Sequence, residues 1–278
     1  MKSFAKQFGY LPLIPILLMI AAIPARAETA GTPLEQVIAG RHRSPANTAR
    51  DQYRHPKATL EFLGMKPDMT VVETLPGAGW YTEILAPYLH DQGSLIVATM
   101  LLRDDAPAFF HNRQAAYFAK MDAEPEIYGR VQRTVFKKEN YLENVKDNSV
   151  DMVLDSRNLH NYIRFGGADE VFGAYYRVIK PGGVLGLIDH RAPAGVDVKQ
   201  FADKGYVPEA FAIELAERAG FKFAARSEIN ANPKDNKDHP RGVWTLPPTY
   251  RLGDEDRQKY SAIGESDRMT LKFIKPAE

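Results

Sequence analysis

Two histidines and one arginine stand just beyond apolar segments, where the strands of α/β enzymes present reactive side chains. His160 follows residues 150–155, and His190 and Arg191 follow residues 184–188. A histidine in such a place can take a proton from a nucleophile near pH 7, and an arginine can hold an anionic substrate. These residue types and positions predict His160, His190 and Arg191 as catalytic residues.

Structural roles for the same side chains remain open alternatives. His160 could cap a helix or bond to the backbone, and Arg191 could simply pair with Asp189. His160, His190 and His239 could in principle share a metal ion, but no His-x-x-x-His or carboxylate spacing supports such a site. The sequence therefore predicts no metal centre.

The segment TVVETLPGAGWYTEIL, residues 70–85, has the pattern of a buried strand, a tight glycine turn and the start of a helix. A dinucleotide site needs a third glycine three positions after Gly79, where this chain has Thr82. A phosphate-binding loop needs Gly-Lys-Ser/Thr, which the sequence lacks. The turn at Gly77-Ala78-Gly79 therefore suits a ligand that approaches the backbone closely but carries no phosphate.

Strand-like and helix-like segments alternate through most of the chain. Predicted strands cover residues 70–74, 94–99, 131–136, 150–155, 184–188, 221–229 and 269–274. Predicted helices follow the glycine turn as far as Leu89, and then cover residues 107–121, the segment from Ala168 to the stop at Pro181-Gly182-Gly183, and residues 208–219. This alternation predicts a parallel sheet with helices on both faces. The last two strands, with no helix predicted between them, indicate an antiparallel hairpin at one edge.

Three stretches, VVETLPGAGWYTEIL, DNSVDMVLDSRNLHNY and YRVIKPGGVLGLIDHRA, resemble those of class I S-adenosylmethionine (SAM)-dependent methyltransferases. The resemblance covers residues 55–278, and RNLHN with NPKDNKDHPRGVWTLPP is most similar to a predicted exported branch of that family. It implies an α/β, Rossmann-like fold, in which a seven-stranded sheet has the order 3-2-1-4-5-7-6, strand 7 is antiparallel, and helices cover both faces. It further implies SAM as the cofactor and a small molecule as the substrate that receives the methyl group.

The same resemblance implies a cofactor site. Its residues are Glu73, Gly77, Gly79, Trp80, Met100, Glu139 and Asp155. Glu139 matches the family's adenine-binding acid if VFKKENY aligns without a gap, and Trp80 either stacks on the ligand or packs in the core. The family's second strand usually ends in an acid that holds the ribose hydroxyls, but Thr99 and Met100 stand there. This departure leaves a second function open, an exported binding protein that keeps the fold with lost or changed cofactor use.

Residues 230–268 form a 39-residue insertion between the last two predicted strands. Loops of this length in compact domains are usually functional lids or disordered segments, and the aromatic residues Trp244 and Tyr250 favour a segment that packs. We predict a lid that brings His239, Arg241 and Trp244 over the substrate pocket.

The first 27 residues have the pattern of a secretory signal peptide. Lys2 and Lys6 precede a 13-residue apolar stretch, residues 11–23, which is too short for a membrane span, and Ala25-Arg26-Ala27 is a typical cleavage site. An uncleaved anchor is the alternative. Cleavage predicts export, to a bacterial periplasm, with no stable membrane insertion afterwards.

Charge and composition limit the partners. Cleavage removes three basic residues and changes the formal net charge from +1 to −2, so nothing predicts a nucleic acid or an anionic membrane as partner. Because the chain has no cysteine, its fold needs no disulfide and tolerates an oxidising compartment. The chain is thus predicted to consist of a signal peptide at 1–27, a polar helical cover at 28–66 and a methyltransferase-like domain at 67–278.

Overall fold

The computed structural model describes, besides Met1, residues 33–138 and 140–277, which belong to one compact unit. The predicted signal peptide and Glu139 lie outside the described residues. Within the described part of the chain, every helix is too short or too polar to cross a bilayer.

The central sheet has the predicted topology. Its strands are β1 (Thr70–Thr74), β2 (Ser94–Met100), β3 (Gln132–Phe136), β4 (Val150–Ser156), β5 (Ile179–Ala192), β6 (Val207–Pro208), β7 (Lys222–Ser227) and β8 (Arg268–Ile274). The main path runs β3-β2-β1-β4-β5-β8-β7, which confirms the predicted order once the two-residue β6, paired with the end of β5, is set aside. Strands β1 to β5 are parallel, and β8 is antiparallel to both β5 and β7.

Helices cover the sheet and form most of the connections. They are α1 (Leu34–Ile38), α2 (Pro45–Thr48), α3 (Asp51–Arg54), α4 (Pro56–Leu63), α5 (Thr82–Leu89), α6 (Ala108–Ala123), α7 (Pro125–Tyr128), α8 (Leu159–Phe165), α9 (Ala168–Val178), α10 (Val198–Asp203), α11 (Glu209–Arg218) and α12 (Arg257–Ile263). The insertion was predicted without a helix, but it contains α12 and a 3₁₀ turn at Gly242–Thr245. Because helices cover both faces of the sheet, a large apolar cluster forms on each face. A third, smaller cluster contains Ala192, Tyr206 and Val243.

Alternation along β1 shows how the two large clusters arise. Val71 packs in the cluster that contains Ile84 of α5, and Val72 packs in the opposite cluster with Phe172 and Tyr175 of α9. Successive side chains of a strand point to opposite faces, so a strand that is apolar at consecutive positions is buried on both sides.

The N-terminal helices belong to the core rather than to a polar cover. Leu34 and Val37 of α1, and Leu60 and Leu63 of α4, are buried in the same cluster as Val71. The prediction of a polar cover is wrong at these positions, because helices of only one or two turns present too few residues for an apolar stripe to show in the sequence.

Helix α5 is joined to the N-terminal segment through polar contacts. Pro87 lacks the N–H that would bond to the carbonyl of Glu83, and the ring nitrogen Nε2 of His42 donates to that oxygen instead, at 2.7 Å. The buried Glu83 carboxylate also accepts from the hydroxyl of Ser44 at 3.0 Å and forms an ion pair with Lys120 of α6. Contacts of Glu83 in α5 thus hold both the N-terminal segment and α6 beside the glycine turn.

A buried carboxylate closes the carboxyl end of β4. Asp155 is fully buried and accepts hydrogen bonds from the hydroxyl of Tyr175 at 2.8 Å and from the side-chain amide of Asn158 at 3.1 Å. Burial, with a further contribution from the charge of Asp189, raises the pKa of Asp155 to about 7. Asp155 therefore stabilises the positions of α8 and α9 at the end of β4.

Asp155→Asn tests this arrangement through the pH dependence of stability. The pKa of about 7 in the folded state lies above the ordinary value of 3.8, so the folded state binds this proton more tightly than the unfolded state. The protonated Asp155 therefore stabilises the folded state fully below pH 4, and this stabilisation is lost as pH rises through 7. Between pH 5 and pH 8 we expect the wild type to lose about 2–3 kcal/mol of unfolding free energy relative to Asp155→Asn. Urea denaturation at both values measures this difference, and the exposed Asp122→Asn should follow the wild type.

Candidate functional site

A cavity of about 310 Å³ lies at the carboxyl ends of β1, β2, β4 and β5. Besides these strand ends, its walls come from five parts of the chain: the N-terminal helices, the turn after β1, the start of α6, the segment after β4, and the insertion before β8. Open parallel sheets bind ligands at this edge, beside the crevice where the strand order reverses. Here the order reverses between β1 and β4.

The turn after β1 has an unusual backbone. Leu75 stands where the resemblance would place a glycine, yet it adopts the left-handed φ of +44°. Its amide bonds to the carbonyl of Ala98 at 2.8 Å, and its side chain packs on the core, so tertiary contacts hold a conformation that non-glycine residues rarely adopt. The turn keeps its shape without the first glycine.

The two remaining glycines have different neighbours. A Cβ at Gly77 would lie 2.6 Å from the guanidinium of Arg113, and Gly77 lines the cavity. A Cβ at Gly79 would lie 2.9 Å from the ring of Tyr117, and Gly79 is not part of the cavity wall. Only Gly77 of the pair is placed to contact a ligand, whereas Gly79 makes room for Tyr117.

Glu73 anchors the turn from below, at the end of β1. Its buried carboxylate accepts a hydrogen bond from the hydroxyl of Thr82 at 2.6 Å, and that hydroxyl also lies 3.0 Å from the Tyr117 hydroxyl. Burial raises the pKa of Glu73 to about 7, although the bonds to the Thr82 hydroxyl and backbone lower it. Glu73 lines the cavity and can exist there in either charge state near neutral pH.

Trp80 lines the cavity and is also a packing residue. It is buried, and its indole N–H donates to the carbonyl of Asn47 at 2.9 Å. The guanidinium of Arg54 lies 4.8 Å from the ring centroid, which is within the range of a cation–π contact. At the end of β2, Met100 and Thr99 form the cavity wall in place of the expected acid, with Met100 48% exposed.

Asp189 connects the two predicted catalytic histidines. Its carboxylate accepts from Nδ1 of His160 at 3.1 Å, from the His160 amide at 3.0 Å and from the His190 amide at 2.7 Å. A carboxylate partner requires that Nδ1 carry the proton, which leaves Nε2 of His160 as the basic nitrogen. Both histidines line the cavity, with ring centroids 5.5 Å apart.

His190 is held by the insertion. Its Nδ1 is hydrogen-bonded to the hydroxyl of Ser266, and the side chain is buried. Burial lowers the pKa of His190 well below its ordinary value, and the nearby charges of His160 and Arg157 lower it further. We therefore treat His190 as a neutral imidazole near pH 7.

The structure does not bring Arg191 to the cavity. Strand β5 continues to Ala192, beyond the predicted end at residue 188, so alternation directs His190 and Arg191 to opposite sides. Arg191 pairs with Asp267 at 3.0 Å and with Glu228 at 2.7 Å. The alternative pairing with Asp189 is also wrong, because Asp189 bonds to the histidines.

Asp155, a further predicted cofactor residue, is not part of the cavity wall. Asp155 is covered by its own hydrogen-bond partners, and Glu139 lies outside the described residues. In the insertion only Trp244 of the three predicted residues lines the cavity, with its ring centroid 6.0 Å from that of His160. His239 is buried against Asp235 at 2.8 Å, and Arg241 is exposed elsewhere.

Four arginines that line the cavity were not among the predicted site residues. These are Arg50, Arg54, Arg113 and Arg157. The buried carboxylate of Glu265 pairs with Arg50 at 2.5 Å and with Arg54 at 3.1 Å, and the Arg268 guanidinium lies 2.6 Å from it. Only Arg157 had a sequence signal, since it follows β4 in the RNLHN stretch. The others reach the cavity through tertiary structure alone.

One cluster has the composition of a metal site. His160, Asp189 and His190 each offer a ligand atom, and these atoms all lie within 4.8 Å of one another, which makes them the candidate group among the described residues. However, Asp189 already accepts three hydrogen bonds, and the positive charges of Arg157 and Arg268 act on His190. This electrostatic environment favours an anion over a cation.

Comparison with known proteins places the fold. No protein-family model matches this chain, and no curated protein matches it in sequence. A SAM-dependent methyltransferase from Aquifex aeolicus superposes with a TM-score of 0.53 over 88% of this chain and 99% of its own, at 16% identity. The [4+2]-cyclase SpnF gives 0.56 over 88% and 92%, at 18% identity. A putative sarcosine dimethylglycine methyltransferase from Galdieria sulphuraria gives 0.51 over 82% and 86%, at 12% identity. The chain thus has the α/β, Rossmann-like fold of class I SAM-dependent methyltransferases.

Proposed function

We propose that this protein is a SAM-dependent methyltransferase that acts on a small molecule. The observation that carries the proposal is one cavity lined both by the turn after β1 and by His160, whose partner is Asp189. This cavity supports the proposal because a cofactor bound there would lie beside a candidate general base, at the sheet edge where α/β enzymes bind ligands.

We assign the cofactor to the part of the cavity formed by Glu73, Gly77, Trp80 and Met100. Gly77 has no side chain, so a ligand can approach the backbone there, whereas a side chain would collide with Arg113. The turn also lacks the features of a phosphate-binding loop. SAM carries no phosphate, and when bound it supplies a methyl group on a positively charged sulfur. The chain's own contribution is to position this group and to exclude water.

His160 is suited to take the proton that the methyl acceptor loses. Asp189 holds the proton on Nδ1, so that Nε2 can accept one, and the same carboxylate stabilises the imidazolium that results. Trp244 packs near the ring and closes the cavity from the side of the insertion. Methyl transfer is an in-line displacement, in which orientation of the two reactants contributes much of the rate.

The end of β2 favours one alternative, a protein that keeps the fold for another reaction or for binding. Thr99 and Met100 offer no carboxylate for the ribose hydroxyls. A lost bidentate acceptor would weaken binding by about 1.5–3 kcal/mol, or roughly ten- to hundredfold. One structural neighbour, SpnF, is described as a [4+2]-cyclase, so the fold alone does not fix the reaction.

Calorimetric titration of S-adenosylhomocysteine, the demethylated product, and of SAM tests the cofactor assignment. We expect both to bind, and Gly77→Val to weaken binding at least tenfold, because the new side chain meets Arg113 at a φ of +66°. Gly195→Val is the matched control, since it has a φ of +73° with no atom near its Cβ, and it should bind as the wild type does. Absence of binding to the wild type would contradict the assignment and favour the alternative.

His160→Asn tests the base. Asparagine keeps a donor toward Asp189 but has no basic nitrogen, so we expect turnover to fall by roughly 10²–10⁴-fold with SAM affinity nearly unchanged. Formation of S-adenosylhomocysteine in the presence of acceptor compounds measures turnover. His111→Asn, at a partly exposed site outside the cavity, is the control. Full activity in His160→Asn would remove this residue from the mechanism.

We also propose that the protein is exported to a bacterial periplasm after cleavage of the signal peptide at residues 1–27. The support is the sequence pattern of a basic start, a short apolar stretch and Ala25-Arg26-Ala27. Mass spectrometry of protein recovered from cells should show a chain that begins at Glu28. An intact Met1 in the mature protein would overturn this proposal.

A further inference from the structure

The arginines that line the cavity carry more positive charge than the acids of its wall can neutralise. Four arginines line it, whereas the described acids in its wall are Glu73 and Glu265. Glu265 is already shared by Arg50, Arg54 and Arg268, and Glu73 bonds to Thr82 at the base of the turn. Among the described residues, no carboxylate forms an ion pair with either Arg113 or Arg157.

Arg157 is the most unusual of these residues. It has a left-handed φ of +64°, and its backbone amide donates to the carbonyl of Ile188 at 2.7 Å, which fixes the residue at the cavity wall. Its Nε is buried without a hydrogen-bond partner among the described residues. Burial lowers the pKa of this guanidinium to about 10, and repulsion from Arg50 contributes. A buried guanidinium without an ion-pair partner destabilises a fold, and the attraction of Glu265 and Asp189 offsets the effect of burial only in part, so Arg157 is suited to bind an anion.

Two neighbouring arginines also have hydrogen-bond donors without a partner among the described residues. Nη2 of Arg50 and Nη2 of Arg54 are buried without partners in the described structure, although both side chains bind Glu265 through Nε. Arg50, Arg54 and Arg157 each have one unpaired nitrogen, and all three residues line the cavity. Arginines bind carboxylate and phosphate oxygens through paired N–H groups, so this arrangement suits an oxyanion.

The cofactor does not provide the missing negative charge. SAM has one carboxylate, one ammonium and one sulfonium, which gives it a net positive charge. If SAM binds as proposed above, on which this step rests, it adds positive charge to a cavity that is already positive. The remaining negative charge must therefore come from the second ligand, the methyl acceptor.

We propose that the methyl acceptor is a small acid whose carboxylate or phosphate group binds Arg50, Arg54 and Arg157. The acceptor atom then faces Nε2 of His160, because His160 and the arginines line the same cavity. The nucleophile forms a bond to the methyl carbon as the sulfur–carbon bond breaks, and the bonding electrons remain on sulfur. The nucleophile's proton passes to His160.

Titration calorimetry of the full chain tests the anion site with two probes, inorganic phosphate and benzoate, each with and without saturating S-adenosylhomocysteine. We expect at least one probe to bind, and the stronger of the two identifies the acid class. Arg157→Met should lower its affinity at least tenfold and leave the affinity for S-adenosylhomocysteine within about threefold. Without any probe, this variant should melt at a higher temperature than the wild type, because a buried unpaired charge has been removed. Arg218→Met, which loses a surface pair with Asp169, should bind the probe normally.

Arg157→Lys provides a second test if the methionine variant does not fold. Lysine keeps the charge but not the paired N–H groups, so the proposal expects the same tenfold loss of probe affinity with little change in melting temperature. Unchanged probe affinity in either variant, or failure of both probes to bind the wild type, would overturn the proposal. Probe binding that depends on Arg157, in a protein that does not bind S-adenosylhomocysteine, would support the anion site and reject the cofactor assignment instead.

Discussion

The buried carboxylate of Glu265 is the interaction on which the shape of the cavity depends. Burial raises the pKa of Glu265, but attraction from Arg268, Arg50 and Arg157 outweighs it and keeps the pKa below its ordinary value. The carboxylate is more than 200 positions away from Arg50 and Arg54 in the sequence, so it joins the N-terminal helices to the segment before β8. Removal of such a buried partner leaves uncompensated charges, which is among the most destabilising changes available to a protein.

The charges of the cavity wall would suit the methyl transfer proposed above. The wall contains Glu73, with a pKa of about 7, and four arginines, of which Arg113 lies beside Gly77 and Arg54 lies over the ring of Trp80. As a sulfonium loses its methyl group it also loses its positive charge. Positive surroundings therefore favour the product over the reactant, provided that the acceptor is held by the same charges.

Local patterns in the sequence predicted the sheet, but they predicted only part of the site. The strands, the turn and the histidines near the ends of β4 and β5 follow from apolar runs and glycines that act over a few residues, whereas the strand order was implied by the resemblance to methyltransferases. The prediction that Arg191 belongs to the site was wrong because β5 continues past Ile188. Successive residues of a strand face opposite sides of the sheet, so Arg191 faces away from His190. The contacts of Arg50 and Arg54 with Glu265 link distant segments, and nothing within either segment encodes them. Leu75 shows the same limit, since its positive φ is imposed by tertiary contacts.

The position of β8 in the sheet has a consequence for the order of assembly. This strand follows β7 in the chain but lies between β5 and β7, so β7 has no place in the sheet until β8 has paired. The insertion and Glu265 immediately precede β8, and they reach the cavity in the same step. Contacts that span so much of the chain form late and slowly. During synthesis the sheet from β3 to β5 can therefore assemble first, while the cavity is still open on the side that the insertion later closes.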